Sequence, residues 1–261
     1  MLFRSDEIMV HPKALINYMQ LQHNLDSMKA QRTKIEKNKG SKLSPKDKLY
    51  VDIQALEETI SRIDTAVEGY GLSTIDFYVQ KLAEGIATIG GAVWKTLEDG
   101  TIAEAVVRMS DFKTNEYQNL IGGWMYEGSE NNPMIGHRGA SRYVGEEFVD
   151  CFRLECRAIM RARSWGLTNI VPMIPFVRTP AEAIKVQKIM AEEGLVREEF
   201  VQGVMAKYTF SREKVLREIK EEGLVRAAVF DYIENGEGIA YEPNPKGLKI
   251  YMMAEIPSNI I

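Results

Sequence analysis

Two arginines in a glycine-framed loop are the residues of this sequence best suited to chemistry. Residues 131–144 read NNPMIGHRGASRYV, so Gly136 and Gly139 bracket Arg138, and Arg142 follows four positions later. Glycine allows a positive φ or a close backbone approach to a ligand. Guanidinium binds phosphate or carboxylate in a bidentate fork, and a spacing of four places both groups on one side of a helix. The pattern favours an anion site, and a turn leading into a helix with solvated arginines stays open as the alternative.

Three further charged side chains stand at the ends of strand-like runs. Arg4 follows the apolar start of the chain, Arg108 ends the run AVV, and Glu255 ends the run LKIYMMAE. Because the carboxyl ends of parallel strands meet at one edge, we expect these side chains and Arg138 to converge on one face. The arginines would neutralise a phosphate and a carboxylate there. Glu255 would hold Mg²⁺, which prefers carboxylate and ligand oxygens.

Each strand-end residue, taken alone, also has a purely structural interpretation. The position of Arg4, taken alone, favours a frayed N-terminus with an exposed arginine. Arg108 has carboxylates nearby in sequence, Asp111 and Glu116, and an ion pair to either would order the polar turn that follows. A lone glutamate such as Glu255 more often caps or pairs than binds metal. The combination of these residues is what favours a ligand site.

Two heptad-spaced runs predict an antiparallel helical hairpin over residues 14–69. Apolar residues recur in alternating steps of three and four along both runs, and the polar stretch 38–46 separates them. Ser44 followed by Pro45 predicts the start of the second helix, and Gly69 its end. Charges outside the seams predict a projecting hairpin that serves packing or self-association, so we expect a homo-oligomer.

The middle of the chain alternates helix and strand patterns. The predicted order is a helix at 73–92, a strand at 105–107, a helix at 146–165, a strand at 169–177 and a helix at 181–193. This rhythm favours an α/β fold with parallel strands. Cys151 and Cys156 fall at core positions of the predicted helix at 146–165, so we expect two small buried thiols.

The composition argues against several classes of protein. The chain has 261 residues, a net charge of −4 and a pI of about 5.6, which disfavour an electrostatic nucleic-acid binder or a polybasic membrane surface. The sequence shows neither a signal-peptide pattern nor an apolar run of membrane-spanning length. Two cysteines without a disulfide framework predict reduced thiols. We therefore expect a cytoplasmic protein without nucleic-acid or membrane partners.

Several long motifs carry a resemblance to a known family. They read LFRSDEIMVHPKAL, DFYVQKLAEGIATI, VVRMSDFKTNEYQNLIGG, NPMIGHRGASRYV, LTNIVPMIPFVRTPAEA and GLKIYMMAEIPSN. Together they resemble the C-terminal, phosphoenolpyruvate-utilising barrel domain of the phosphoenolpyruvate synthases (pyruvate, water dikinases). Pyruvate phosphate dikinase and enzyme I of the sugar phosphotransferase system share that barrel, and the SDFKTNEY and EIPSN motifs look like the synthase branch.

The resemblance implies a fold and a reaction. The fold is α/β, a partial (β/α)8 TIM-type barrel of about five strands. Its predicted parts are 1–13, 70–194 and 248–261, with the hairpin 14–69 and a helical or irregular stretch 195–247 as inserts. In that family the barrel binds pyruvate or phosphoenolpyruvate and Mg²⁺, and a phosphohistidine domain, charged by an ATP-binding domain, supplies the phosphoryl group. ATP, pyruvate and water become AMP, phosphate and phosphoenolpyruvate.

The resemblance also implies roles for single residues. Arg4, Arg108, Arg138 and Glu255 would contact substrate, Arg138 would stabilise the transferred phosphoryl group, and Glu255 would be a magnesium ligand. The family's second metal-ligand aspartate, its strand-end cysteine, and its phosphohistidine and ATP-binding domains do not occur in this sequence. We therefore expect a segment or truncated relative that is inactive alone, and the alternative is a structural homo-oligomer with a vestigial ligand site.

Overall fold

The chain falls into two units, which the computed structural model describes over residues 9–195 and 251–252. Unit 1 comprises Met1–Lys81 and Thr114–Asn131, and unit 2 comprises Leu82–Lys113 and Asn132–Ile261. The described elements are, in chain order, α1 (Pro12–Ile16), α2 (Tyr18–Lys39), α3 (Lys48–Val67), α4 (Thr74–Ala92), β1 (Ala105–Arg108), α5 (Thr114–Gln118), the 3-10 helix Gly123–Met125, α6 (Ala140–Tyr143), α7 (Val149–Ser164), β2 (Ile170–Ile174), α8 (Pro180–Glu192) and β3 (Tyr251–Met252). The predicted strand before Arg4, the second insert beyond residue 195, and Glu255 lie outside the described residues.

Unit 1 contains an antiparallel pair of long helices where the heptad pattern predicts it. Lys29 Nζ on α2 lies 2.7 Å from Glu57 Oε1 on α3, and the Tyr18 hydroxyl donates to Asp64. The seam residues buried on α2 and α3 are Leu21, Leu25, Ile53, Leu56, Ile60 and Ile63. That the hairpin is an insert, and that it drives self-association, stay predictions.

The predicted start of the second hairpin helix at Ser44 and Pro45 is wrong. α3 begins at Lys48, after Asp47 at the N-cap. The Asp47 carboxylate accepts the Ser44 backbone N–H at 2.7 Å, and the Lys46 N–H donates to Ser44 Oγ at 3.3 Å. These bonds form a turn ahead of the helix, because short polar side chains that cap helices also stabilise turns.

Unit 2 contains a small parallel sheet in the order β1–β2–β3. The β1–β2 register pairs Ala105 with Ile170 and Arg108 with Met173, and Met173 also pairs with Tyr251 of β3. The prediction of an α/β fold with parallel strands is confirmed. The burial of β1 alternates along the strand, and Val106 is 42% exposed.

Local sequence signals account for the helices that flank the sheet. Thr179 caps α8 by accepting the Glu182 N–H, the reciprocal capping box is complete, and Pro180 occupies the first turn. Cys151 and Cys156 are buried on α7, which confirms them as core thiols. A Cβ on Gly90 of α4 would lie 2.9 Å from the Ile170 side chain, so glycine allows that close packing.

Among the residues that the structure describes, no helix combines the length and apolarity needed to cross a bilayer.

Candidate functional site

A carboxylate shared by two arginines lies just beyond the carboxyl end of β1. Arg138 donates from Nε to Asp111 Oδ1 at 2.9 Å and from Nη2 to Oδ2 at 2.8 Å. Arg108, the last residue of β1, places Nη1 3.3 Å from the same Oδ2. The Asp111 side chain is 1% exposed. Two guanidiniums around one buried carboxylate leave a net positive charge at this strand end, which favours an anion.

Arg138 is fixed both at its edge and on its face. Besides the fork to the carboxylate, Nη2 donates to the Asp111 carbonyl and Nη1 to the Met134 carbonyl, each at 3.1 Å. Four of its five N–H groups are therefore committed to protein acceptors. The Phe176 ring lies 4.4 Å from its Cζ, within the range of a cation–π contact. Arg138 is thus a preorganised cation in a buried position.

Arg108 differs from Arg138 in exposure. Its side chain is 40% exposed, whereas that of Arg138 is 10% exposed. The two sequence alternatives for Arg108, an ion pair or a strand-end site, are compatible, because the same guanidinium touches Asp111 and faces solvent. Arg108 is therefore the more accessible cation of this pair, the one that an incoming anion meets first.

The glycine-framed loop follows a different path from the one its spacing predicts. α6 begins only at Ala140, so Arg138 precedes the helix and does not share a helical face with Arg142. Gly139 adopts φ 61° and ψ −137°, and the Ala140 N–H donates to the Pro175 carbonyl at 3.0 Å. Arg142 turns back into the loop, where its Nε donates to the His137 carbonyl at 3.0 Å. The helical interpretation of the pair is wrong, because Gly139 takes a non-helical conformation between them.

Arg178 is a residue of the site that the sequence analysis did not assign. Its Nη1 donates to the Arg138 carbonyl at 3.1 Å and to Ser141 Oγ at 2.9 Å, and its Nη2 donates to the Gly136 carbonyl at 2.9 Å. These bonds connect the arginine loop to the segment after β2. The signal was present, since Arg178 closes an apolar run in the way that marks Arg108.

A buried carboxyl group, Glu155, holds the backbone next to Asp111. Glu155 Oε2 accepts the Ser110 N–H at 3.0 Å, and the Tyr143 hydroxyl donates to the Ser110 carbonyl. Glu155 Oε1 is buried without a hydrogen-bond partner. Burial raises the pKa of Glu155 to about 7, while the Ser110 hydrogen bonds lower it by less. No sequence pattern marks this role, because position 155 is simply one of the core positions of α7.

We expect the stability of unit 2 to fall with rising pH through Glu155, and Glu155→Gln to remove that fall. The folded state binds the proton more tightly than the unfolded chain, since its pKa rises from 4.5 to about 7. The stabilisation is complete below pH 4.5 and is lost as the pH rises through 7. This difference between the pKa values of the unfolded and folded states corresponds to about 3 kcal/mol in the free energy of unfolding. Urea denaturation at pH 5, 6, 7 and 8 measures it.

The matched control for this pH series is Glu147→Gln, which makes the same change at an exposed position of unit 2. It is expected to leave the pH dependence of the parent protein unchanged. Equal slopes for the parent and Glu155→Gln would contradict a buried carboxyl that holds its proton near neutral pH.

The described part of this site fits an anion and does not fit a metal ion. Within residues 9–195 and 251–252, no group of three or more His, Cys, Asp or Glu side chains is arranged to hold a metal. Both oxygens of Asp111 face guanidinium groups. The predicted ligand Glu255 and the predicted substrate residue Arg4 lie outside the described residues, so the structure brings together Arg108 and Arg138 of the four predicted side chains.

Comparisons with known proteins place most of the chain in one family. Residues 29–209 match the family model described as PEP-utilising enzyme, PEP-binding domain. That match includes most of the helical hairpin and the first residues of the predicted second insert. The family match therefore rests on a continuous stretch that contains Arg108, Asp111, Arg138 and Arg178.

Several curated relatives carry the name phosphoenolpyruvate synthase. The one from Neisseria meningitidis serogroup B is 48% identical over 161 residues, which is 61% of this chain and 19% of the relative. The one from Escherichia coli K12 is 52% identical over 125 residues, 48% of this chain and 15% of the relative. The one from Aquifex aeolicus is 33% identical over an alignment of 270 residues, 97% of this chain and 25% of the relative. The chain thus spans a quarter or less of the length of these relatives, and it belongs to the PEP-utilising enzyme family through the PEP-binding domain.

Proposed function

We propose that this chain supplies part of the site that binds phosphoenolpyruvate and pyruvate in a phosphoenolpyruvate synthase. The observation that carries the proposal is the pair of guanidiniums on Asp111 at the end of a parallel strand, one exposed and one buried. Phosphoenolpyruvate carries both a carboxylate and a phosphate, and guanidinium recognises either group. The net positive charge of Arg108, Asp111 and Arg138 suits such a ligand.

Arg108 can exchange partners at low cost. If its guanidinium turns from Asp111 to a ligand, Arg138 still neutralises the buried carboxylate through two hydrogen bonds. An unpaired buried charge would make such a movement expensive, and none is left here. Arg108 therefore acts as the group that captures the ligand, and Arg138 stays on Asp111 as a fixed positive charge beside it.

Arg138 suits the stabilisation of a phosphoryl group during transfer. Phosphoryl transfer depends on positioned positive charge more than on covalent chemistry by the protein. A cation that is already fixed by Asp111 and Phe176 needs little reorganisation as charge develops. In the proposed reaction, ATP, pyruvate and water become AMP, phosphate and phosphoenolpyruvate, and a phosphohistidine domain delivers the phosphoryl group.

The remaining parts of the proposal concern residues and domains beyond the described site. They are a partial TIM-type barrel around the parallel sheet, substrate contact by Arg4, and Mg²⁺ held by Glu255. They also include the phosphohistidine and ATP-binding domains of a longer enzyme. The similarity to relatives named phosphoenolpyruvate synthase supports these parts.

We expect Arg108→Ala to weaken the binding of phosphoenolpyruvate by this chain. A hydrogen bond between charged partners contributes about 1.5–3 kcal/mol, so the dissociation constant should rise roughly tenfold to a hundredfold. Isothermal titration of phosphoenolpyruvate, and separately of pyruvate, with Mg²⁺ present measures this change. The control is Arg62→Ala on α3, an exposed arginine of unit 1 whose loss makes the same charge change.

Equal affinities for Arg108→Ala and the parent would overturn the role of Arg108. An absence of heat from the parent chain, and from a chain extended to the length of the relatives, would overturn the proposed binding of phosphoenolpyruvate altogether.

A further inference from the structure

Phe176 has a backbone conformation that aromatic residues rarely adopt. Its φ is 49°, the only positive φ of a non-glycine residue within the described part of the chain. A Cβ is crowded by its own backbone there, so a bulky side chain persists only where surrounding contacts hold it. The position is the second residue after β2, at the same end of the sheet as Arg108.

The backbone around Phe176 is held from two sides. The Pro175 carbonyl accepts the Ala140 N–H at 3.0 Å, and the Phe176 carbonyl accepts from Arg178 Nη1 at 3.3 Å. Gly139 approaches so closely that an added Cβ would lie 2.8 Å from the Phe176 Cβ. The arginine loop and the segment after β2 therefore fix the unusual φ together.

At this positive φ the aromatic ring lies within cation–π distance of two guanidiniums. The ring centroid lies 4.4 Å from Arg138 Cζ and 5.5 Å from Arg178 Cζ. Within the described residues, the Arg178 guanidinium donates to carbonyl and hydroxyl oxygens, without a carboxylate among them. The negative face of an aromatic ring attracts cations, so the ring stabilises two like charges that lie close together.

We propose that Phe176 is a positioning residue, which holds the guanidinium plane of Arg138 ready for the phosphate or carboxylate of the ligand. Asp111 fixes the edge of this guanidinium and Phe176 fixes its face. A negative φ at position 176 would direct the ring elsewhere and leave the plane of Arg138 set from one side only. The identity of the ligand rests on the proposed function, whereas the contact between ring and guanidinium does not.

The test compares Phe176→Leu with Phe176→Tyr. Both residues lack a β-branch, so the backbone strain at a positive φ is matched, and only tyrosine keeps the ring. We expect Phe176→Leu to raise the dissociation constant for phosphoenolpyruvate roughly threefold to thirtyfold, and Phe176→Tyr to stay within about twofold of the parent. Equal weakening by both variants would show a merely structural role and overturn the proposal.

An NMR measurement decides the positioning role without the ligand. The Arg138 Nε–H signal, assigned by its loss in Arg138→Lys, should be shifted upfield by the ring in the parent protein and in Phe176→Tyr. It should return toward ordinary arginine values in Phe176→Leu. An unshifted signal in the parent overturns the proposal even if Phe176→Leu does not fold. If the parent binds no phosphoenolpyruvate but the signal is shifted as expected, the proposed function fails and the role of Phe176 stands.

Discussion

Replacing Asp111 by asparagine is expected to lower the free energy of unfolding of unit 2 by about 3–5 kcal/mol. Asparagine keeps the size of the side chain but removes its charge. Arg138 would then remain buried, at 8% exposure, without the carboxylate that neutralises it. An unpaired buried charge is among the most destabilising consequences of a single substitution.

The measurement is urea denaturation followed by tryptophan fluorescence in a Trp124→Phe background. The two tryptophans that remain, Trp94 and Trp165, both belong to unit 2, so the signal reports on that unit. The control is Asp150→Asn, the same change at a side chain that is 74% exposed. The control should change the free energy of unfolding by less than about 0.5 kcal/mol.

A double substitution shows whether the loss comes from the unpaired arginine. Asp111→Asn combined with Arg138→Met removes both buried charges, so it should recover a large part of the stability lost in Asp111→Asn alone. Additive losses in the double variant would contradict the ion pair as the source of the effect. A loss below about 1 kcal/mol in Asp111→Asn would contradict a buried, neutralising carboxylate.

The parts of the fold that the sequence predicted well depend on neighbours in the chain. The start of α8 follows from Thr179, Pro180 and Glu182, three residues whose contacts are all within one turn. The strand at 105–108 follows from a short β-branched run. Ser44 and Pro45 failed to predict the helix start because Asp47, three residues after Ser44, accepts the Ser44 N–H and forms a turn ahead of the helix.

The arrangement of the site depends on contacts that periodicity does not encode. The sequence places Arg108 and Arg138 correctly as strand-end and loop cations. It does not show that both converge on Asp111, since 27 positions separate Asp111 from Arg138. Glu155 looks like any polar residue within an amphipathic helix, and only the fold brings it to Ser110, 45 positions away. The class of ligand can therefore be predicted from the residue types. The arrangement of the side chains around Asp111 depends on the parallel sheet and could not be predicted.

Gly139→Ala is expected to destabilise unit 2 by about 4 kcal/mol, the sum of backbone strain and overpacking. At φ 61° and ψ −137° only glycine is unstrained, because a Cβ would be crowded by its own backbone. A Cβ here would also lie 2.3 Å from the Pro175 carbonyl oxygen and 2.8 Å from the Phe176 Cβ. The backbone would have to move, and Arg138 would move with it, so phosphoenolpyruvate binding should weaken as well.

Gly91→Ala in α4 is the matched control, since it makes the same change in the same unit with the opposite expected sign. A Cβ on Gly91 meets nothing within 4 Å, and alanine favours the helix by up to about 1 kcal/mol. Both variants can be measured in the Trp124→Phe background by urea denaturation. A loss below about 1 kcal/mol for Gly139→Ala would contradict the close approach of the arginine loop to Pro175, because that approach leaves no room for a methyl group. We expect the free energy of unfolding to fall strongly in Gly139→Ala and to rise in Gly91→Ala. That result would show that glycine is required at the contact with Pro175 that positions Arg138.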